Sequence, residues 1–341
     1  MYRVSLLICM RNEARYIEGC LRSILAQDYP PEQIEILVVD GMSNDGTRQI
    51  ATEFAQRDSR IRLLDNLQRI VPTAMNKGIS TAQGEIVIRV DGHTVIAQDY
   101  VRRCVEVLAT TGADNVGGPM RAASDTWIGK TIVLATSSPF GVGGARFHYA
   151  ETPGWVDTVY MGAYRREVFD RIGLFDEELV RNQDDELNFR LIQAGGKIWL
   201  DPNIRSTYFS RSTLRGLWKQ YFEYGFWKVR VIQKHRRPAS LRHLVPGAFV
   251  LSLASSLVLS WLVGSPLFLF TVLLPYLFTS LFVTFWIAAR EGWRYAPLLP
   301  LAFATMHLAY GFGFLAGLAR FGFAKTRSEG AKRAKNPSGL G

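Results

Sequence analysis

Three short constellations in this chain of 341 residues combine side chains that do chemistry. Asn182-Gln183-Asp184-Asp185-Glu186 sets three consecutive acids at what reads as the start of a helix running to Phe189-Arg190-Leu191. Acids there suit the positive end of a helix dipole. They also offer a general base, which must lie within hydrogen-bond reach of the hydroxyl it deprotonates. Arg89-Val90-Asp91-Gly92-His93 places a carboxylate and an imidazole two apart on a turn after a strand. Both can face one divalent cation, and this donor pair suits Mn²⁺ better than Ca²⁺. A cation there would bridge diphosphate oxygens and offset charge on a leaving group; an Asx-turn with a surface His gives the same spelling. The third constellation, Val38-Val39-Asp40-Gly41-Met42-Ser43-Asn44-Asp45-Gly46-Thr47, is a strand ending in an acid, a polar turn and a helix start. Asp40 can accept hydrogen bonds from a ribose or a base edge, and Asp45 and Thr47 can cap the helix, although any tight strand-to-helix joint can use Asp-Gly.

Such residues need elements to hold them. Short β-branched runs at Val4–Met10, Ile34–Asp40, Ile61–Asp65 and Glu85–Asp91 predict strands. Between them, helical patterns cover Glu13–Gln27, Thr47–Arg57, Val71–Ala82 and Gln98–Ala109. This alternation predicts an α/β fold, a mainly parallel sheet with helices on both faces, in which ligands bind at the carboxyl ends of the strands. Trp127–Thr158 has no clear period and reads as irregular. A strand from Val159, helices at Arg166–Ile172 and Asp184–Ala194, and a strand at Lys197–Leu200 follow, with Gly195-Gly196 as a helix stop. Ser124-Asp125-Thr126-Trp127-Ile128-Gly129-Lys130-Thr131 ends like a phosphate loop but begins with Ser in place of Gly and is discarded. Neither a dinucleotide fingerprint nor a zinc pattern of Cys and His occurs.

Composition changes sharply after residue 243. No Asp, Glu, Lys or Arg occurs from Leu244 to Ala289 or from Ala296 to Ala319. About 20 apolar residues span a bilayer core, so spans are expected at Leu244–Gly264, Pro266–Ala289 and Ala296–Ala319. Thr213–His235 reads as a basic, Trp-rich amphipathic helix, continuous or broken near Gly225, suited to the membrane interface, with packing on the sheet as the alternative. Gly313 and Gly317 have the spacing that lets helices approach closely, and His307 is either a proton or substrate group or a packed interface residue. The net charge of +10 gathers around the spans, from Arg211 to Arg242 and in the tail from Arg320. That pattern points to a cytoplasmic membrane face and not to nucleic acid. Three spans would put the basic tail on the opposite side from the basic run before the first span, against the positive-inside tendency; one apolar segment is then re-entrant, or the tail is an exception. Three cysteines, all in the polar part of the chain, fit a reducing compartment. The apolar N-terminus runs straight into Arg11-Asn12-Glu13 and reads as a strand, not a signal peptide.

In this order and spacing the pieces resemble the family 2 glycosyltransferases of the GT-A fold. The matching segments are Val4–Glu13, Val38–Thr47, Asn76-Lys77-Gly78 with Ala82 and Gly84, Val90–His93, Met161-Gly162-Ala163 leading to Phe169, Gly173–Glu177 and Gln183–Leu191. The resemblance covers about residues 1–235, and Tyr310-Gly311-Phe312-Gly313 with the spans resembles the exopolysaccharide subgroup typified by succinoglycan glucosyltransferases. It implies a catalytic domain over 1–235, a basic linker at 236–243, a membrane region of two to three spans over 244–319 and a basic tail at 320–341.

Residue roles follow from the same resemblance. Asn12 and Glu13 would sit near the uracil, and Asp40 would contact the base or ribose of a UDP-sugar. Asp91 matches the first acid of the family's Asp-x-Asp motif and His93 takes the place of the second, so both would hold Mn²⁺ or Mg²⁺. Gly162 and Ala163 would line the junction of donor sugar and acceptor. The catalytic base falls on Asp184, with Asp185 as second choice and Gln183 replacing the family's usual Glu. Arg211, Arg215, Trp218 and Gln220 lie where relatives hold the product diphosphate or the acceptor. The implied reaction is an inverting transfer of a hexose, with glucose favoured, to a polyprenyl-diphosphate saccharide at the cytoplasmic face of the inner membrane, beside other polysaccharide-assembly proteins. A catalytically silent scaffold and a processive synthase are the alternatives.

Overall fold

The computed structural model describes residues 1–209 and 213–334, with side chains as far as residue 322. In chain order the first elements are β1 (Val4–Met10), α1 (Ile17–Leu25), β2 (Ile34–Asp40), α2 (Thr47–Arg57), β3 (Ile61–Asp65), α3 (Val71–Thr81) and β4 (Ile86–Asp91). Next come β5 (Thr94–Ile96), α4 (Tyr100–Thr111), β6 (Asn115–Gly118), β7 (Arg121–Ala123), α5 (Trp127–Thr136) and α6 (Pro139–Val142). They lead to β8 (Gly154–Val156), β9 (Tyr160–Arg165), α7 (Glu167–Ile172), α8 (Gln183–Gln193), β10 (Ile198–Leu200) and β11 (Ser206–Phe209). Four long helices complete the chain: α9 (Leu214–His235), α10 (Val245–Val263), α11 (Leu267–Glu291) and α12 (Leu299–Ala334). Two compact units result, one of residues 1–124 with 144–209 and one of 125–143 with 213–334.

In the first unit an eight-stranded sheet has the order β3-β2-β1-β4-β9-β6-β10-β8. β3, β2, β1 and β4 are parallel; β9 then runs antiparallel to both β4 and β6. Both faces of the parallel half are covered, which is why its strands read as near-continuous apolar runs. Leu6 and Ile8 face a core with Ile17 and Leu21 of α1 and Tyr100 and Cys104 of α4. Leu7, pointing the other way, meets Met75 and Ile79 of α3 and Leu187 and Leu191 of α8. Register then positions the chemistry: Met10 pairs with Asp40, Asp40 with Asp65 and Cys9 with Asp91. Three acids thus form a row along the carboxyl edge, and the order reverses direction between β1 and β4, where such sheets open a crevice.

The second unit departs from expectation in one place and decides between alternatives in another. Trp127–Thr158 is not irregular throughout, because α5 occupies Trp127–Thr136, capped by the Thr126 hydroxyl accepting from the Gly129 amide. This helix buries Ile132 and Ala135 among α9, α11 and α12 and is apolar nearly all round, so it shows no amphipathic period. α9 is continuous through Gly225. There glycine serves contact, since a Cβ on Gly225 would lie 2.1 Å from the Tyr310 carbonyl oxygen. Gly313 and Gly317 of α12 answer it: their Cβ atoms would lie 2.0 and 2.6 Å from the carbonyl oxygens of Phe222 and Phe226. The close approach expected of these small residues is therefore made, with α9 as the partner. His307 is held at a helix interface, its Nε2 donating to the Phe140 carbonyl (2.9 Å) and its Nδ1 3.0 Å from the Tyr276 hydroxyl. Three helices, over Leu241–Val263, Leu267–Glu291 and Leu299–Gly322, are long and apolar enough to cross a membrane.

Candidate active site

Loops at the carboxyl ends of β1 and β2 brace each other. Asn12, in a left-handed conformation at φ 56°, accepts from the Asn44 amide (3.0 Å) and donates its own amide to the Ser43 hydroxyl (3.0 Å). The Glu13 amide donates to the Thr47 hydroxyl and the Ala14 amide to Asp45, at 2.7 and 3.1 Å. Asp40 lies beneath this brace with no exposed surface. It accepts from the Ser43 amide and hydroxyl (3.1 and 2.6 Å) and from Arg48 (3.0 Å), which also pairs with Asp65 at 2.7 Å. The Asp40 carboxylate therefore organises the loop from within, and Arg48 is the charged group above it. Sequence reasoning passed over Arg48; its signal was a cation in the first turn of the helix after an acid-ended strand.

Arg89 is the second residue that was missed, and it joins the two other constellations. Its Nε donates to Asp91 (2.8 Å), while Nη1 stands 3.6 Å from Asp184. Arginine inside a parallel strand is an anomaly that could have flagged it, since a buried cation needs anionic partners. Burial works to raise the Asp91 pKa, but Arg89, His93 and hydrogen bonds from Arg89 and Tyr160 outweigh it and hold the carboxyl below its usual range. Asp184 goes the other way: loss of hydration raises its pKa, Arg89 opposes, and the charges of Asp185 and Asp91 add to the rise. Its side chain keeps 46% of its surface open, so the group is both perturbed and accessible. Asp185 is next along α8, its amide donating to Asp184 (2.9 Å).

A buried polar network aims α8. Asn188, one turn beyond Asp184, accepts from the Asn115 amide (3.0 Å) and the Tyr164 hydroxyl (3.1 Å) and donates to the Thr158 hydroxyl (2.9 Å). Arg190, held by Glu186 one turn earlier on the same helix, ties α8 to the carbonyl oxygens of Ile172 and Leu174. Gln183 begins α8 buried.

His93 lies across the β1–β4 crevice from Glu13, with Nδ1 2.9 Å from Glu13 Oε1. Its ring meets Tyr208 edge-on, and the Tyr160 hydroxyl lies 2.7 Å from Thr94. Glu13 thus contacts the imidazole. Among the described residues no group of three or more His, Cys, Asp and Glu could enclose a metal ion. Asp91 lies against Arg89 and His93 against Glu13, and a divalent cation needs only one or two protein groups where substrate phosphates supply the rest.

Gly162 and Ala163 are interior to β9; Ala163 is fully buried, and a Cβ on Gly162 would collide with Asn115 and Tyr164. Neither therefore presents a side chain to open space. The neighbouring Met161 has φ 49°, where the pairing of β6 and β9 shifts register. In the second unit, Trp218 is 40% exposed, with its ring 6.2 Å from that of Phe312, and Gln220 donates to the Tyr224 hydroxyl. Arg215 is exposed on α9, and Arg211 lies outside the described residues.

Comparison with known proteins bears on the family and the fold. The family model described as Glycosyl transferase family 2 matches residues 5–173. Succinoglycan biosynthesis protein ExoA of Rhizobium meliloti (strain 1021) is 32% identical over 314 residues, 91% of this chain and 93% of that protein. From Methanococcus voltae, dolichyl N-acetyl-alpha-D-glucosaminyl phosphate 3-beta-D-2,3-diacetamido-2,3-dideoxy-beta-D-glucuronosyltransferase is 29% identical over 325 residues, 93% of this chain and 97% of its own. Among solved structures, mannosyltransferase PcManGT from Pyrobaculum calidifontis in complex with GDP-Man and Mn²⁺ superposes with a TM-score of 0.60 at 21% identity, covering 93% of this chain and 87% of that one.

Proposed function

Because the chain belongs to glycosyl transferase family 2 and has the GT-A fold, we propose that it transfers a hexose, with inversion, from a UDP-sugar to a lipid-linked saccharide. Glucose is the donor sugar and a polyprenyl diphosphate the lipid carrier in this reading. One observation carries it: Arg89 bridges Asp91 and Asp184, so an acid suited to a diphosphate-bound cation and an acid suited to a base share one cleft. The relatives favour this class of acceptor, one being named for succinoglycan biosynthesis and the other for a dolichyl phosphate sugar.

Asp184 takes the proton from the acceptor hydroxyl, whose oxygen attacks the anomeric carbon as the bond to the diphosphate breaks and UDP leaves. An α-linked donor gives a β-linked product. Much of the acceleration comes from holding acceptor and donor in line, and the network through Asn188 and Arg190 fixes the base for that purpose. Asp91 and His93 would hold Mn²⁺ or Mg²⁺, which supplies positive charge to the departing diphosphate when bound. Glu13 accepts the Nδ1 proton of His93 and so would leave Nε2 as the ring's donor atom to a metal. Asn12 and the braced loop over Asp40 receive the nucleoside. α10 and α11 anchor the chain in a cytoplasmic membrane, and the basic residues at their charged ends keep the catalytic unit inside.

The test uses membranes holding the protein, labelled UDP-sugars, a lipid-linked saccharide pool and Mn²⁺ or Mg²⁺. Label from one donor in the organic extract, lost in Asp184→Asn, supports the reading. No transfer from any UDP-sugar, with expression and a competent acceptor pool verified, overturns it.

A further inference from the structure

We propose that α12, although long and apolar enough to cross a membrane, lies along it, so that the α10–α11 hairpin alone crosses and the C-terminal tail returns to the side from which α10 starts. The inference rests on reading α10 and α11 as membrane spans.

α10 and α11 are joined by Gly264-Ser265-Pro266, so the start of α10 and the end of α11 mark one side and this turn marks the other. α12 begins on the first side: Leu299 and Phe303 pack with Ile287 near the end of α11 and with Tyr295 just after it. A helix of 24 apolar residues is about 36 Å long and, as a span, would reach the depth of the turn by residue 322. It does not. Gly311 packs against Pro246 and Val250, and Phe314 against Gly247, all in the first two turns of α10. α12 therefore starts beside one charged end of the hairpin and passes the other, crossing it instead of running alongside it.

What covers α12 supports the same placement. From Phe303 to Phe321 it is flanked by α9, through Leu217, the glycine contacts at Phe222, Gly225 and Phe226, and the bond from Gln233 to the Phe321 carbonyl (3.1 Å). α9 carries Arg215, Lys219, Glu223, Lys228, Arg230 and Lys234 within 22 residues, too many charges for a hydrocarbon core. Half of the apolar stretch of α12 is buried inside the protein, against 17% and 11% for the stretches in α10 and α11. Its exposed apolar residues, Leu301, Phe312 and Leu318, are few and suit one-sided contact with a lipid surface. The arrangement also settles the charge pattern. In that placement Arg236, Arg237 and Arg242 before α10, Arg290 and Arg294 around the end of α11 and Arg320 late in α12 fall on one side, and the turn has no charge.

The test places a cysteine at either end, Ser265→Cys or Ser338→Cys, in full-length protein in bacterial cells, and labels with a membrane-impermeant maleimide before and after lysis. Parent protein supplies the background, and membrane-fraction yield verifies each variant. Labelling of residue 265 before lysis and of residue 338 only after it supports the proposal. Labelling of both before lysis makes α12 a span and overturns it, as does labelling of neither, which removes the hairpin crossing. Labelling of residue 338 alone in intact cells leaves α12 in plane but inverts the orientation and overturns the cytoplasmic reading. A carboxyl-terminal alkaline phosphatase fusion, expected to be inactive, reads the tail independently, and an active fusion together with labelling of residue 265 before lysis overturns the proposal.

Discussion

His93 Nδ1 stands 2.9 Å from Glu13 Oε1, joining the end of β1 to the turn after β4 across 80 residues of sequence. Donation of Nδ1–H to this carboxylate selects the tautomer in which a neutral imidazole would carry its lone pair on Nε2, as a metal ligand needs.

A carboxylate behind a metal-binding His typically contributes 10–100-fold in metal affinity. Glu13→Ala should accordingly weaken Mn²⁺ binding in the presence of UDP by about 10-fold or more, measured from the electron paramagnetic resonance signal of free Mn²⁺. UDP affinity without metal should hardly change. The opposite pattern, with metal-free UDP binding lost, would return Glu13 to a direct nucleotide contact.

Asp184 sets the second expectation. Its pKa is raised above the ordinary 3.8 by burial, with Arg89 opposing and Asp185 adding. A base works only when deprotonated, so activity should fall with decreasing pH at a limb above the usual carboxylate range. Asp185→Asn removes a like charge and should move that limb down, while Arg89→Gln removes the opposing cation and should move it up. Asp184→Asn should lose about 10²–10⁴-fold in rate at every pH. A profile from kcat/KM measurements decides, and a limb that stays fixed in both neighbours' variants would assign the titration to another group.

Part of this was legible before any coordinates. β1 and β2 fall at their expected residues because parallel strands buried on both faces are nearly unbroken apolar runs ended by polar turns; β3, at the sheet edge, also falls where expected although only Ile61 of it is buried. The acids at the strand ends followed from the same pattern. The three-residue strands β5, β7 and β8 are too short to show alternation, whereas β10, equally short, is marked by the Gly195-Gly196 helix stop before it. Arg48 and Arg89 were hidden because their meaning lies in partners brought by register and packing, Asp65 for one and Asp184 for the other. Nor does an acid's position reveal its exposure: Asp40 is at the expected strand end, yet covered by its own loop.

The α9–α12 seam gives the last expectation, since it separates glycines that contact from a glycine that does not. A Cβ on Gly313 would lie 2.0 Å from the Phe222 carbonyl oxygen, and one on Gly225 would lie 2.1 Å from that of Tyr310. Backbone atoms cannot swing away as side-chain tips do, so even one methyl group forces the helices apart. Overpacking of this kind costs about 1–3 kcal/mol. At Gly322, also helical, a Cβ meets nothing within 4 Å, and alanine there should gain up to about 1 kcal/mol of helix propensity. Thermal unfolding in detergent should therefore place Gly313→Ala and Gly225→Ala below the parent and Gly322→Ala at or above it. Equal transition temperatures for all three would mean that α9 and α12 are not packed backbone to backbone, and α9 would then not hold α12 out of the hydrocarbon core.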